Sequence, residues 1–143
     1  MTFLVTPGGQ SNDVVKVFFF ASITFGRVGV PEQTSDRVAQ VASPEDLLGT
    51  KHKVLLQRIE AKDYLDVAAI LENGTPLTLG LGVARTLFGQ AFQPSECLKA
   101  LVYFEGGDLA SLSRRVRDTL IASAAAVEDL PEVPLADGRL ALP

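Results

Sequence analysis

Residues 14–25, VVKVFFFASITF, form the most apolar run in the chain. Val15, Val17, Phe19, Ala21, Ile23 and Phe25 alternate along one face. The other face, Val14, Lys16, Phe18, Phe20, Ser22 and Thr24, is half apolar. That period predicts a strand with one dry face and one partly dry face, in a sheet covered on both sides. A membrane-crossing helix needs about twenty apolar residues, and this shorter run carries Lys16, so no membrane span is expected.

The segment before the strand, with TPGGQSND, has turn chemistry, so residues 1–13 are expected to be irregular. It has no basic region ahead of an apolar core, and no signal peptide is expected. After the strand, GRVGVPEQTSD breaks the pattern, and RVAQVA (37–42) reads as a second strand. Ser43, Pro44 and Asp46 then make a strong helix start: a cap, a proline at the first helical position, and an acid three residues on. Helices are expected at about 44–60, 62–72, 77–88, 94–104 and 112–127, with Asn73-Gly74 and Gly106-Gly107 as stops. The tail, 128–143, reads as irregular. The order of strands and then helices predicts an α+β fold, one domain over 14–127 with a helical C-terminal half. Two strands make a poor sheet alone, which suggests further strands from another segment or chain.

A net charge of −4 argues against a general nucleic-acid coat. The single cysteine, Cys97, allows no internal disulfide and no cysteine-based zinc site, which fits a reducing, cytoplasmic setting. Cys97 reads as a small buried hydrophobe. His52 is the only histidine, and no triad is recognisable around it. LGLGVA (79–84) lacks the third glycine and the preceding strand of a dinucleotide loop. Arg114, Arg115 and Arg117 read as a solvated face, with RNA contact the alternative. Tyr64 could pack in the core or stack on a base. EGGD (105–108) reads as a turn.

The most informative stretch is GTKHKVLLQRIEAKDYLD, residues 49–66. On a helical wheel with Lys51 at zero, Leu47, Leu48, Val54 and Leu55 fall within about 60° of it, and Arg58 within about 20°. Lys51 and Arg58 therefore sit inside the apolar arc. Lys53, Asp46, Gln57 and Glu60 mark the solvated side. A buried cation needs an anion, because an unpartnered one costs several kcal/mol. Asp63 and Asp66, three residues apart on the next helix, are the nearest acids. Three arrangements meet this need: a structural ion-pair network, a phosphate-binding site in which an Asp assists chemistry or a metal, and cations that snorkel to solvent.

These residues resemble a known family, the AbiEii/AbiGii-type nucleotidyltransferase toxins. The family pattern is Lys-x-x-x-Leu-x-x-Arg on one helix, followed by Arg/Lys-Asp-x-x-Asp and an apolar residue on the next. KHKVLLQR supplies Lys51, Leu55 and Arg58; KDYLDV supplies Lys62, Asp63, Asp66 and Val67. The resemblance extends over roughly residues 14–125, including FGQAFQPSECLKALVYFEGGDL. It implies a polymerase-β-like fold, here a partial sheet followed by a helical bundle. It implies transfer of a nucleotide from NTP to an acceptor, RNA being one candidate, with Mg²⁺. It also implies a cognate antitoxin in a bacterial toxin–antitoxin or phage-defence system. By the same resemblance Lys51, Arg58 and Lys62 would bind nucleotide, and Asp66 with Asp63 would be the catalytic positions. The family's Gly-Ser motif and its Asp-x-Asp/Glu metal-binding pair do not occur in this sequence. The expectation is a C-terminal portion, inactive alone, either a fragment, a split subunit or a remnant kept for binding.

Overall fold

The computed structural model describes the backbone of residues 2–5 and 15–18 and the whole of residues 23–140. The fold is α+β. β1 (Thr2–Val5) pairs antiparallel with β2 (Val15–Phe18), Thr2 opposite Phe18 and Val5 opposite Val15. β3 (Glu32–Gln33) pairs antiparallel with β4 (Gln40–Val41). Among the described residues five α-helices follow: α1 (Pro44–Leu55), α2 (Ala61–Glu72), α3 (Leu77–Phe88), α4 (Pro94–Val102) and α5 (Arg114–Ala125).

The strands depart from the sequence expectation. Thr2–Val5 is a strand, not part of an irregular lead: TFLV is a short β-favouring run that the turn residues after it obscure. Those turn residues lie outside the described residues. The long strand expected over 14–25 is a strand at 15–18; residues 19–22 lie outside the described residues, and 23–26 leave the ladder. There the chain docks elsewhere. The Phe25 ring meets Phe88 edge-on at 5.3 Å, and the Arg27 amide donates to the Asp137 carbonyl at 2.9 Å. The strand expected at 37–42 shrinks to Gln40–Val41, and its partner lies in a stretch read as a break. A tight turn takes up 34–39. Arg37 is left-handed there (φ 60°), and the Val38 and Ala39 amides donate to the Asp36 carboxylate and the Thr34 hydroxyl.

The helix starts follow local chemistry. Ser43 caps α1 by accepting the Asp46 amide at 3.2 Å, with Pro44 at the first turn. Asp46, which the helical wheel put on the solvated side, is buried. Its carboxylate accepts the Val28 and Gly29 amides at 2.8 and 2.9 Å and the Ser43 hydroxyl at 2.8 Å, which fastens the incoming chain to α1. α3 lies against α1 at close range because Gly80 faces Leu48 and His52. A Cβ on Gly80 would stand 2.4 Å from Leu48 Cγ and 2.7 Å from His52 Cε1. The core gathers Leu48, Leu55, Tyr64, Val67, Leu81, Cys97, Leu101, Leu109 and Leu120, all buried. Each large aliphatic side chain there contributes about 1.5–3 kcal/mol of burial.

Over 128–140 the tail forms no helix or strand beyond an isolated bridge to Arg27, yet it is fixed. Thr86 donates its hydroxyl to the Val133 carbonyl at 2.6 Å, and Arg85 donates to the Pro131 carbonyl at 3.2 Å. Among the described residues no single helix is long and apolar enough to cross a membrane.

Candidate functional site

α1 ends at Leu55, not at Glu60. The next amides turn tightly, Leu56 onto the Lys53 carbonyl and both Gln57 and Arg58 onto the Val54 carbonyl. Arg58 therefore belongs to the linker, and the helical wheel does not govern its direction. It is not sunk in an apolar arc: its side chain is 45% exposed, and that of Lys51 is 27% exposed. Both cations are anchored at one end and open to water at the other.

The anchor is Asp63, whose side chain is fully buried. Arg58 grips it with two hydrogen bonds, Nε to Oδ2 at 2.8 Å and Nη2 to Oδ1 at 3.1 Å. Lys51 Nζ reaches the same Oδ1 at 3.1 Å. Lys51 also bonds Asp66, whose side chain is 51% exposed. The sequence thus brings Lys51, Arg58, Asp63 and Asp66 to one corner between α1 and α2. Lys62 stands outside it, 63% exposed and paired with Glu60 at 2.6 Å. Glu60 also lies 3.6 Å from Arg58.

Electrostatics follow from this geometry. Burial pushes the Asp63 carboxyl up, but hydrogen bonds from Arg58 and Lys51 outweigh it and hold it below the usual carboxylate range. Burial lowers Lys51, but Asp66 and Asp63 more than offset it, and its ammonium stays charged to higher pH than usual. The bond to Asp63 likewise raises Arg58. Asp63, Lys51 and Arg58 are thus each held in the charged form near neutral pH. Among the described residues Arg58 Nη1 has no partner, and Lys51 uses two of its three donors.

The corner is braced by residues that sequence reasoning passed over. Asp108 accepts the Ala61 amide at 2.6 Å and so caps α2 from 47 residues away. Gly107 lies against the linker: a Cβ there would stand 2.4 Å from the Ile59 carbonyl oxygen. The EGGD turn is thus the support of the Arg58 linker. Its signal was the acid following two turn glycines, but the partner was too far along the chain to be read.

Other candidates fall elsewhere. Lys53 is not simply solvated: it bonds the Ala91 carbonyl and lies 5.9 Å from the Phe88 ring centre. Arg114 and Arg115 are exposed and pair with Asp118 and Glu72. Arg117 leaves that face, donating to the carbonyls of Leu109, Ala110 and Leu112 and lying 5.5 Å over Phe104. Tyr64 is a core residue with its hydroxyl on the Ala100 carbonyl at 3.1 Å. Cys97 is fully buried, and burial pushes its thiol up to about 12. His52 is also fully buried, and burial lowers it to about 4.

The donor set does not suit Mg²⁺. Both Asp63 oxygens are taken by cations, and Asp66 shares Lys51. No group of three or more metal-ligating side chains occurs among the described residues. Mg²⁺ wants carboxylates facing an open position, with its remaining water shell intact. The corner instead presents ammonium and guanidinium donors, which suit phosphate or carboxylate oxygens. Comparison of the chain with family models, curated proteins and solved structures finds no match.

Proposed function

We propose that the Lys51–Arg58 corner binds the phosphates of a nucleoside triphosphate. We further propose that the chain is the cation-bearing part of a nucleotidyltransferase of the toxin–antitoxin type, acting in the bacterial cytoplasm. The observation that carries the phosphate reading is the asymmetry between the two carboxylates. Asp63 is buried and grips both cations, whereas Asp66 is half exposed and touches only Lys51. An exposed ion pair contributes roughly 0–1 kcal/mol, so Asp66 can give way to an incoming phosphate at small cost. Asp63 cannot, because releasing it would leave a buried charge unpaired. A phosphate would then meet the third Lys51 donor, the donor released by Asp66, and Arg58 Nη1.

In this reading Asp63 is a positioning residue. It fixes two cations so that little side-chain freedom is lost on binding. Asp66 holds Lys51 in place while the site is empty. The family pattern in KHKVLLQR and KDYLDV supports the assignment to nucleotidyl transfer, with NTP as donor, RNA or another acceptor, and an antitoxin as partner protein. The chemistry also needs metal-binding carboxylates to clamp the attacking and leaving oxygens. The corner does not supply them, so they would come from another segment or chain, and no catalytic step is assigned to these residues alone.

A second reading has its own support. Every charge at the corner has an opposite partner, as a purely structural network requires. Calorimetry of NTP binding, with and without Mg²⁺, separates the two. The phosphate reading expects binding to the wild type and its loss in Lys51→Ala while that variant, still held by the Arg58–Asp63 pair, remains folded at the assay temperature. No binding, with Lys51→Ala mainly lowering the melting temperature, would establish the structural network instead.

A further inference from the structure

Arg58 belongs to two features. Besides the Asp63 corner it lines a cleft of about 650 Å³ between the α1–α2 linker and α4. We propose that this cleft receives the nucleoside of the same nucleotide, with the base against Tyr103; the inference rests on the phosphate reading above. The cleft volume lies in the range of small-molecule sites. Its wall is apolar where Leu55, Ile59 and Val102 line it, which suits the faces of a planar ring.

Tyr103 supplies the stacking surface. The residue is 60% exposed, which is unusual for a side chain of that size, and its hydroxyl donates to Glu105 at 3.2 Å. That bond holds an exposed aromatic in place at the rim, so stacking costs little further ordering. Because Arg58 reaches both spaces, a phosphate held at Arg58 places the attached nucleoside at the mouth of the cleft. Edge recognition follows from the remaining acceptors. Glu96 and Glu105 line the cleft and each use one oxygen, on Lys99 and Tyr103, which leaves each a second oxygen able to accept from a bound edge. Those accept from the amino groups of guanine, adenine and cytosine. They oppose the two carbonyls of uracil.

Titration calorimetry of the full chain with GTP, ATP, CTP, UTP and inorganic tripolyphosphate tests this. The expected result is that amino-bearing NTPs bind more tightly than tripolyphosphate and UTP. Tyr103→Ala should weaken them about ten-fold, the size expected for a base stacked on an aromatic, and leave tripolyphosphate unchanged. Tyr103→Phe, which keeps the ring but loses the bond to Glu105, should bind between the wild type and Tyr103→Ala. If tripolyphosphate and all NTPs bind equally, and Tyr103→Ala changes nothing, the nucleoside pocket is refuted and the phosphate site stands. If neither NTP nor tripolyphosphate binds, the phosphate reading and this inference are both refuted.

Discussion

Asp63→Asn removes the negative charge from the corner and leaves the shape. The amide keeps one acceptor oxygen and turns an NH₂ toward Lys51 or Arg58. Three hydrogen bonds to the carboxylate are affected. Removing one partner of a fully buried ion pair costs about 3–5 kcal/mol. Here the cations are 27% and 45% exposed and can turn to water, so about 2 kcal/mol is the better figure. For a chain of this size that lowers the melting temperature by roughly 5–10 °C. The pH dependence is the sharper test. The folded-state pKa of Asp63 is depressed, so its stabilising effect is present above the unfolded value, near 3.9. It is lost as pH falls through the lower folded value. Melting curves of both proteins from pH 7 downward should therefore differ most near neutrality and converge below about pH 4. A variant that melts with the wild type at pH 7, or a gap that stays constant to low pH, would refute the claim that Asp63 anchors the two cations.

Gly80→Ala places a methyl against Leu48 and His52 where helices α1 and α3 meet, and should cost about 1–3 kcal/mol in denaturant unfolding. His52 is buried neutral with its pKa lowered to about 4, so the unfolded chain takes up protons first and stability falls as pH drops from about 6.5 toward 4. His52→Leu should flatten that part of the stability–pH curve, measured by urea unfolding at pH 7 and pH 5. Asp108→Ala removes the cap on Ala61 and should cost about 1 kcal/mol, read as a lower melting temperature.

The helical half was legible because its signals are local. Ser43-Pro44 starts α1, Asn73-Gly74 follows α2, and the expected 77–88 span is α3 as found. Asp63 and Asp66, three apart on one helix, read as the nearest acids to Lys51 and Arg58; Asp63 meets both cations, and Asp66 meets Lys51. Arg58 was misread because no glycine or proline announces the end of α1. The turn at Leu56–Arg58 is held by tertiary support from Gly107 and Asp108, which a wheel cannot include. The strands were hardest. Residues 23–27 read as apolar alternation and a break, but they are committed to Phe88 and to the tail at Asp137, contacts far along the chain. Asp46 looked like a solvated capping acid because its partners, the Val28 and Gly29 amides, lie in a loop with no pattern of its own.

A phosphate site at this corner requires Asp66 to be an exchangeable partner of Lys51 and Asp63 a fixed one. The direct test is the affinity of Asp66→Asn for NTP, beside Lys51→Ala, by calorimetry at fixed salt. Removing a competing anion should tighten NTP binding to Asp66→Asn, while Lys51→Ala loses it. If Asp66→Asn binds NTP no better than the wild type, or neither protein binds at all, the corner is not a phosphate site.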